Sequence, residues 1–99
     1  MTEFSETIWR ERRLLMLQLL NSQTEGSAGD RAITIALREM DHNVTRDQVQ
    51  AHLAWLAEQL LVSSITLADG SLTATITQRG ADIAAGRSAI PGVLRGGRI

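Results

Sequence analysis

The sequence predicts a mainly helical domain with one small antiparallel β-hairpin, and three observations carry that prediction. Thr45-Arg46-Asp47-Gln48 is a capping box: the Thr45 hydroxyl can accept from the Gln48 amide while the Gln48 side chain reaches back to the Thr45 amide. Val44 and Val49 stand where a hydrophobic staple needs them. An alternating run then centres on Asp69-Gly70, the strongest short hairpin signal. At 99 residues and 43% hydrophobic, the chain can bury one modest core, so one domain is expected.

The first helix is expected from about Glu3 to Asn21. Phe4, Ile8, Leu15 and Leu19 share a stripe that Met16 and Leu20 widen, whereas Trp9 and Leu17 fall off it. Its first half is charged, with Glu6, Arg10, Glu11, Arg12 and Arg13. The helix is longer than so small a core needs. Either its N-terminal half packs on a second subunit, making Phe4, Ile8 and Trp9 the candidate interface of a homodimer, or Trp9 covers the C-terminal helix of its own chain. After a polar loop, Ser27-Ala28-Gly29-Asp30 reads as a second capping box with Asp in the acidic place. The second helix should bury Ile33, Ala36, Leu37 and Met40, and Asn43 is the expected left-handed residue before the next helix.

The third helix should bury Val49, Leu53, Leu56 and Leu60. A two-residue type I′ loop at Asp69-Gly70 would set Ala68 against Ser71, Leu67 against Leu72 and Ile65 against Ala74. Those apolar residues and Ile76 would share one face, with Ser64, Thr66, Thr73 and Thr75 on the other. Thr77 can cap a last helix from Gln78 to about Ala85, ended by Gly86. A short helix pair followed by a hairpin is the order of a winged helix-turn-helix. Residues 1–86 are read as that domain. Residues 87–99, with Pro91, three glycines, Arg87, Arg95, Arg98 and no acid, are read as a flexible basic tail.

Composition narrows the functions. Net charge is −1, the pI is about 6.1, and all ten basic residues are arginine. Affinity for nucleic acid comes largely from cations on phosphates, so a free-standing DNA binder would more comfortably be basic. Arginine suits bidentate phosphate and guanine contacts, and a GC-rich genome would also produce the bias. No cysteine is present, which excludes disulfides and thiolate metal sites and fits a reducing cytoplasm. The acidic, polar start is unlike a signal peptide, and the longest apolar run is too short to span a bilayer. No hydrolase, P-loop or dinucleotide-binding motif occurs, and Asp41, His42, Asp47 and His52 match no metal-site spacing. An enzyme, a cofactor and a metal are therefore not expected.

In a helix-turn-helix the second helix enters the major groove. A helical wheel leaves Arg46, Asp47, Gln48, Gln50, Ala51 and Ala54 towards solvent. Arg46 could take guanine or a phosphate, and Gln50 adenine. Thr45, Gln48 and His52 complete the candidate set on this helix, Thr73 would add a hairpin hydroxyl, and Arg95 and Arg98 would touch phosphate from the tail. Against double-stranded DNA as the ligand stand Asp47, the two alanines and a hairpin tip with Asp69 but no cation. Trp55 either packs on the second helix or anchors a partner protein. Surface charge separates the readings: DNA binding needs arginines gathered on the third-helix face, and a scattered or neutral face favours a protein partner.

Two resemblances sharpen these expectations. Gln50-Ala51-His52-Leu53-Ala54-Trp55-Leu56, with Glu58 and Leu61-Val62, resembles the recognition-helix region of ArsR-type winged-helix regulators. Leu60 stands where those proteins have a helix-ending glycine. Leucine resists the left-handed conformation, so the helix is expected to run a residue or two further. The metal-sensing cysteines are lacking, so metal response is not carried over. More of the chain resembles a small protein family of Mu-like phages and prophages. The residues that carry it are Arg12-Arg13-Leu14-Leu15, Thr45-Arg46-Asp47-Gln48-Val49, Leu53-Ala54-Trp55-Leu56, Thr77-Gln78-Arg79-Gly80-Ala81-Asp82 and Ile90-Pro91-Gly92-Val93. The resemblance implies a phage-derived winged-helix protein in the host cytoplasm. The leading expectation is a DNA-binding module such as a homodimeric regulator; the alternative is a non-enzymatic interaction module in assembly or packaging that meets another phage protein.

Overall fold

The computed structural model describes residues 3–96. Four helices pack with a three-stranded sheet, in the order α1 (Glu3–Asn21), β1 (Ser27–Gly29), α2 (Asp30–Glu39), α3 (Arg46–Glu58), β2 (Val62–Thr66), β3 (Leu72–Ile76) and α4 (Gln78–Ala84). The sheet is antiparallel with order β1-β3-β2. It is thus a mixed α/β architecture, one strand richer than a lone hairpin.

The local signals hold where a cap or a loop defines them. The Thr45 capping box closes in both directions and starts α3 at Arg46, with Val44 and Val49 both in the core. Thr77 caps α4 by accepting from the Gly80 amide. The second expected box does not form. Ser27 is in β1, paired with Thr75 through both backbone register and a 2.7 Å hydroxyl contact. Gly29 caps α2 without a side-chain hydrogen bond. A strand of three residues has too little pattern to announce itself.

The hairpin register is one residue from the expected one. Leu67 donates to the Ser71 carbonyl and Gly70 to that of Leu67, with Gly70 at φ 89, so the loop is Ala68-Asp69-Gly70. This is a turn followed by a left-handed glycine, the usual three-residue hairpin connection. Ile65 therefore faces Thr73 rather than Ala74, and lies 65% exposed on the outer face. The four hydroxyl residues divide between the two faces, since Ser64 pairs with Ala74 and Thr66 with Leu72.

The core combines Leu14, Met16, Leu17 and Leu20 of α1 with Ile33 and Leu37 of α2 and Val49, Leu53 and Leu56 of α3. Leu17, expected off the stripe, is fully buried, whereas Phe4, Met40 and Leu60 are exposed. Residues 87–96, expected as a flexible tail, lie against the domain. Val93 enters the core and the Leu94 amide donates to the Arg10 carbonyl.

Both α2 and α3 end on a Schellman motif without glycine. His42 and Asp41 donate back to the Leu37 and Arg38 carbonyls; Leu61 and Leu60 donate to those of Leu56 and Ala57. Asp41 at φ 68 and Leu60 at φ 64 hold the left-handed positions, so Asp41, not Asn43, makes the first turn and α3 does not run on past Leu60. A leucine there costs about 1–2 kcal/mol of backbone energy, and its side chain is 69% exposed. Leu60→Gly is therefore expected to stabilise the fold by about 1 kcal/mol after the extra freedom of the unfolded glycine chain is deducted. A raised urea midpoint with unchanged slope would show it; a lowered midpoint would mean that Leu60 packs on something in solution.

Candidate functional site

Two of the expected base readers, Arg46 and Gln50, are tied to a buried carboxylate, while the Arg46 side chain stays 48% exposed. Asp30, at the first position of α2, is 1% exposed. One of its carboxylate oxygens takes Arg46 Nη2 at 3.2 Å; the other takes Gln50 Nε2 and the Leu72 amide. Burial pushes this carboxyl's pKa up, but the hydrogen bonds from Gln50, Arg46 and Leu72 outweigh it and hold the group below the usual aspartate range. Asp30 thus ties α2, α3 and β3 together, with Arg46 and Gln50 as its arms. Gln50 also reaches the Gly70 carbonyl at the hairpin tip. Sequence reasoning missed this junction, because Asp30 looked like part of a cap and its partners lie 16 to 42 residues away.

The remaining candidates are spread. Thr45 and Gln48 are exposed but engaged with each other in the capping box. Thr73 is half-buried between Gly29 and Ile65. Arg95 meets the Gly86 carbonyl, and Arg98 lies outside the described residues. His52 is 8% exposed, its Nδ1 accepting from Arg13 Nε, so it belongs to the packing between α1 and α3 rather than to a solvent face. Burial, then the charges of Arg13 and Arg12, push its pKa down to about 4. As pH falls from the ordinary histidine value to about 4, the unfolded chain binds a proton that folded His52 does not, so this group weakens the fold across that window.

On its outward side α3 carries Arg46, Asp47, Gln48, Ala51, Ala54 and Glu58, all exposed. Arg46 is the one cation of that face, and buried Asp30 engages it. Arginines gather instead beside α2, where Arg31, Arg38 and Arg46 border a hollow of about 370 Å³. Arg38 spends its Nε on the Val44 carbonyl.

A second feature lies between α1 and α3. Trp55 does not pack on α2. It lies under the Arg13 guanidinium, 4.2 Å from ring centroid to Cζ, with Gly92 against its edge. A Cβ at Gly92 would lie 2.6 Å from the indole. Trp9, Arg12, Arg13, Gln48, Ala51, His52 and Trp55 line a hollow of about 300 Å³ there. A neighbouring hollow of about 630 Å³ continues past Trp9 to Ile8, Phe4, Met40 and His42. The three residues expected at a dimer interface thus all line the same groove: Phe4 is 74% exposed, while Ile8 and Trp9 are half-buried. The sequence carries no clear signal for this groove: Arg12 and Arg13 read as part of a charged stretch, and Leu17, one turn after Arg13 and fully buried, falls off the expected stripe.

Among the described residues, no three His, Asp or Glu side chains meet as a metal site would require, and no helix is long and apolar enough to cross a membrane. No family model matches the chain, and no solved structure matches it. Two similar proteins frame it. An uncharacterized protein of Haemophilus influenzae strain Rd is 40% identical over 76 residues, which is 77% of this chain and 74% of that protein. Uncharacterized protein gp26 of Escherichia phage Mu is 36% identical over 91 residues, covering 92% of this chain and 93% of its own length.

Proposed function

We propose that this chain, which belongs to the phage protein family of Escherichia phage Mu gp26, works as a non-enzymatic protein-interaction module built on a winged helix-turn-helix frame. The order of α2, turn, α3 and hairpin supports the frame. The observation that carries the function is the outward face of α3: Asp47, Ala51, Ala54 and Glu58 face solvent while Arg46 and Gln50 are held by buried Asp30. A reading helix needs donors and cations aimed at base edges and phosphates. This one carries two acids and two methyl groups, and its one cation, Arg46, is engaged by Asp30. The hairpin continues the pattern, with exposed Ile65 and Leu67 and an acidic tip. Exposed Phe4 beside Ile8 and Trp9 supports self-association through α1 as well.

Fluorescence anisotropy against a random duplex pool and the DNA flanking its own gene tests the reading. At low salt, no saturable binding is expected below roughly 10 µM. In a separate experiment in cells, a photo-crosslinker at Ala54 is expected to capture one defined protein during phage growth. Submicromolar DNA binding that Arg46→Ala weakens by about 1–3 kcal/mol would overturn it. One observation favours the second reading, a DNA-binding regulator: Arg31, Arg38 and Arg46 cluster beside α2, which crosses the DNA backbone in helix-turn-helix complexes. Binding of that kind would be insensitive to sequence and would weaken steeply with salt.

A further inference from the structure

The groove between α1 and α3 has a chemical bias of its own. The chain's two tryptophans, Trp9 and Trp55, both line its inner hollow. Beside them lie two guanidiniums and no carboxylate. Arg13 is largely engaged: it covers Trp55, donates Nε to His52 and donates Nη1 to the Gly92 carbonyl at 3.0 Å. Arg12 is less so. Its Nε donates to His42 Nδ1 at 3.3 Å, and its two terminal nitrogens have no hydrogen-bond partner among the described residues. The acid closest in sequence, Glu11, is engaged with His42 Nε2 at 3.5 Å on the other side of that imidazole.

Two half-buried cations without a counter-charge are expensive to keep. An incoming anion would be received by a planar fork already part-way desolvated. The surroundings limit what that anion is. Asp47 and Glu58 stand exposed on α3, and Glu11 and Asp41 border the neighbouring hollow. A phosphate chain running out of the groove in either direction would meet carboxylates. A single carboxylate would not. The rest of the lining is indole, Ala51 and, beyond Trp9, Ile8, Phe4 and Met40, which suits a large apolar side chain.

We propose that this groove recognises a segment of a partner protein that presents one carboxylate beside a bulky apolar side chain. Arg12 receives the carboxylate, and Trp9 and Trp55 hold the side chain. This names the partner chemistry of the interaction module proposed above and rests on that reading.

Because both indoles line the site, intrinsic fluorescence and the two indole N–H resonances report occupancy without a label. The probes are N-acetyl-Leu-Phe as the free acid and as the C-terminal amide, titrated to about 10 mM, a range suited to weak fragments. The acid is expected to shift both indole signals and to bind at least about tenfold more tightly than the amide, a difference of about 1.4 kcal/mol. Arg12→Met should remove that preference and Arg46→Met should leave it. If Arg12→Met melts early, Arg12→Lys serves in its place: it keeps the charge without the fork and should reduce the preference several-fold. Equal binding of acid and amide, or unmoved indoles with both, overturns the proposal. A short single-stranded oligonucleotide that shifts the indoles more strongly than the acid, in an Arg12-dependent way, also overturns it and assigns the groove to nucleic acid. A negative peptide result with no duplex binding removes only the groove. Duplex binding through Arg46 removes the interaction-module reading itself.

Discussion

Gly80→Ala is expected to cost about 3 kcal/mol or more, the largest single-methyl effect in this fold. Gly80 sits buried in the first turn of α4. A Cβ built there would overlap the Leu61 carbonyl oxygen and crowd Ile76. The Leu61 carbonyl cannot give way, because it accepts from both the Thr77 amide and the Thr77 hydroxyl at 3.0 Å. The extra methyl therefore has to push the helix off the end of α3 and the start of β2. Calorimetry should record a melting point lower by roughly 15 °C for a domain of this size. A drop of only a few degrees would mean that α4 sits further from Leu61 than described.

Asp30→Ala is expected to cost about 2–4 kcal/mol. Alanine would leave the Leu72 amide facing a site with no acceptor and the Gln50 amide with only the Gly70 carbonyl. Arg46 would lose its only ion pair among the described residues, though its half-exposed side chain can find water. The acid response follows the sign of the shift. Folded Asp30 has a lowered pKa, so its stabilisation is present above the ordinary aspartate range and is lost as pH falls through and below it. Wild type should weaken across that window more steeply than Asp30→Asn, as read from urea midpoints at successive pH values. Parallel curves would show that Asp30 is not the ionised centre of the junction. The Asn variant also removes the charge that holds Arg46 while keeping one acceptor oxygen, so the anisotropy measurement on it asks whether the Arg46 tie keeps α3 from DNA.

What could be read in advance was what is local. The bounds of α1, the start of α3 at Arg46, the hairpin tip and the Thr77 cap all depend on neighbours within a turn or a loop. The failures have the opposite character. Ser27 looked like a cap because its strand partner, Thr75, is 48 residues away. Asp69-Gly70 alone predicts a two-residue loop with Ile65 inside, but Ala68 belongs to the loop too and the register shifts by one. Leu60 looked like a residue that would prolong the helix, yet the hydrogen bonds from Leu60 and Leu61 stop it there. Arg46 and Gln50 were legible as polar, helix-borne and near solvent. That a buried carboxylate on another helix would claim both is tertiary information. Arg12 and Arg13 read as part of a charged, amphipathic turn, and only the fold brings one beneath His42 and the other over Trp55.

The position of β3 between its two partners sets a schedule for synthesis. Its pairing with β2 closes a short local loop, the kind of contact made within microseconds. Its pairing with β1 must enclose α2, α3 and the hairpin, a closure whose entropy grows with the intervening chain. At about 5–20 residues per second, β1 leaves the ribosome several seconds before any strand it can bond to. During that interval α1, α2 and α3 can begin to collapse on Leu17, Leu37 and Leu53, while Ser27 to Gly29 keep their backbone groups hydrated. The sheet is then the last layer to assemble. A ribosome stalled with its nascent chain exposed only as far as Leu67 would display a three-helix intermediate with the Asp30 carboxylate still short of its Leu72 donor.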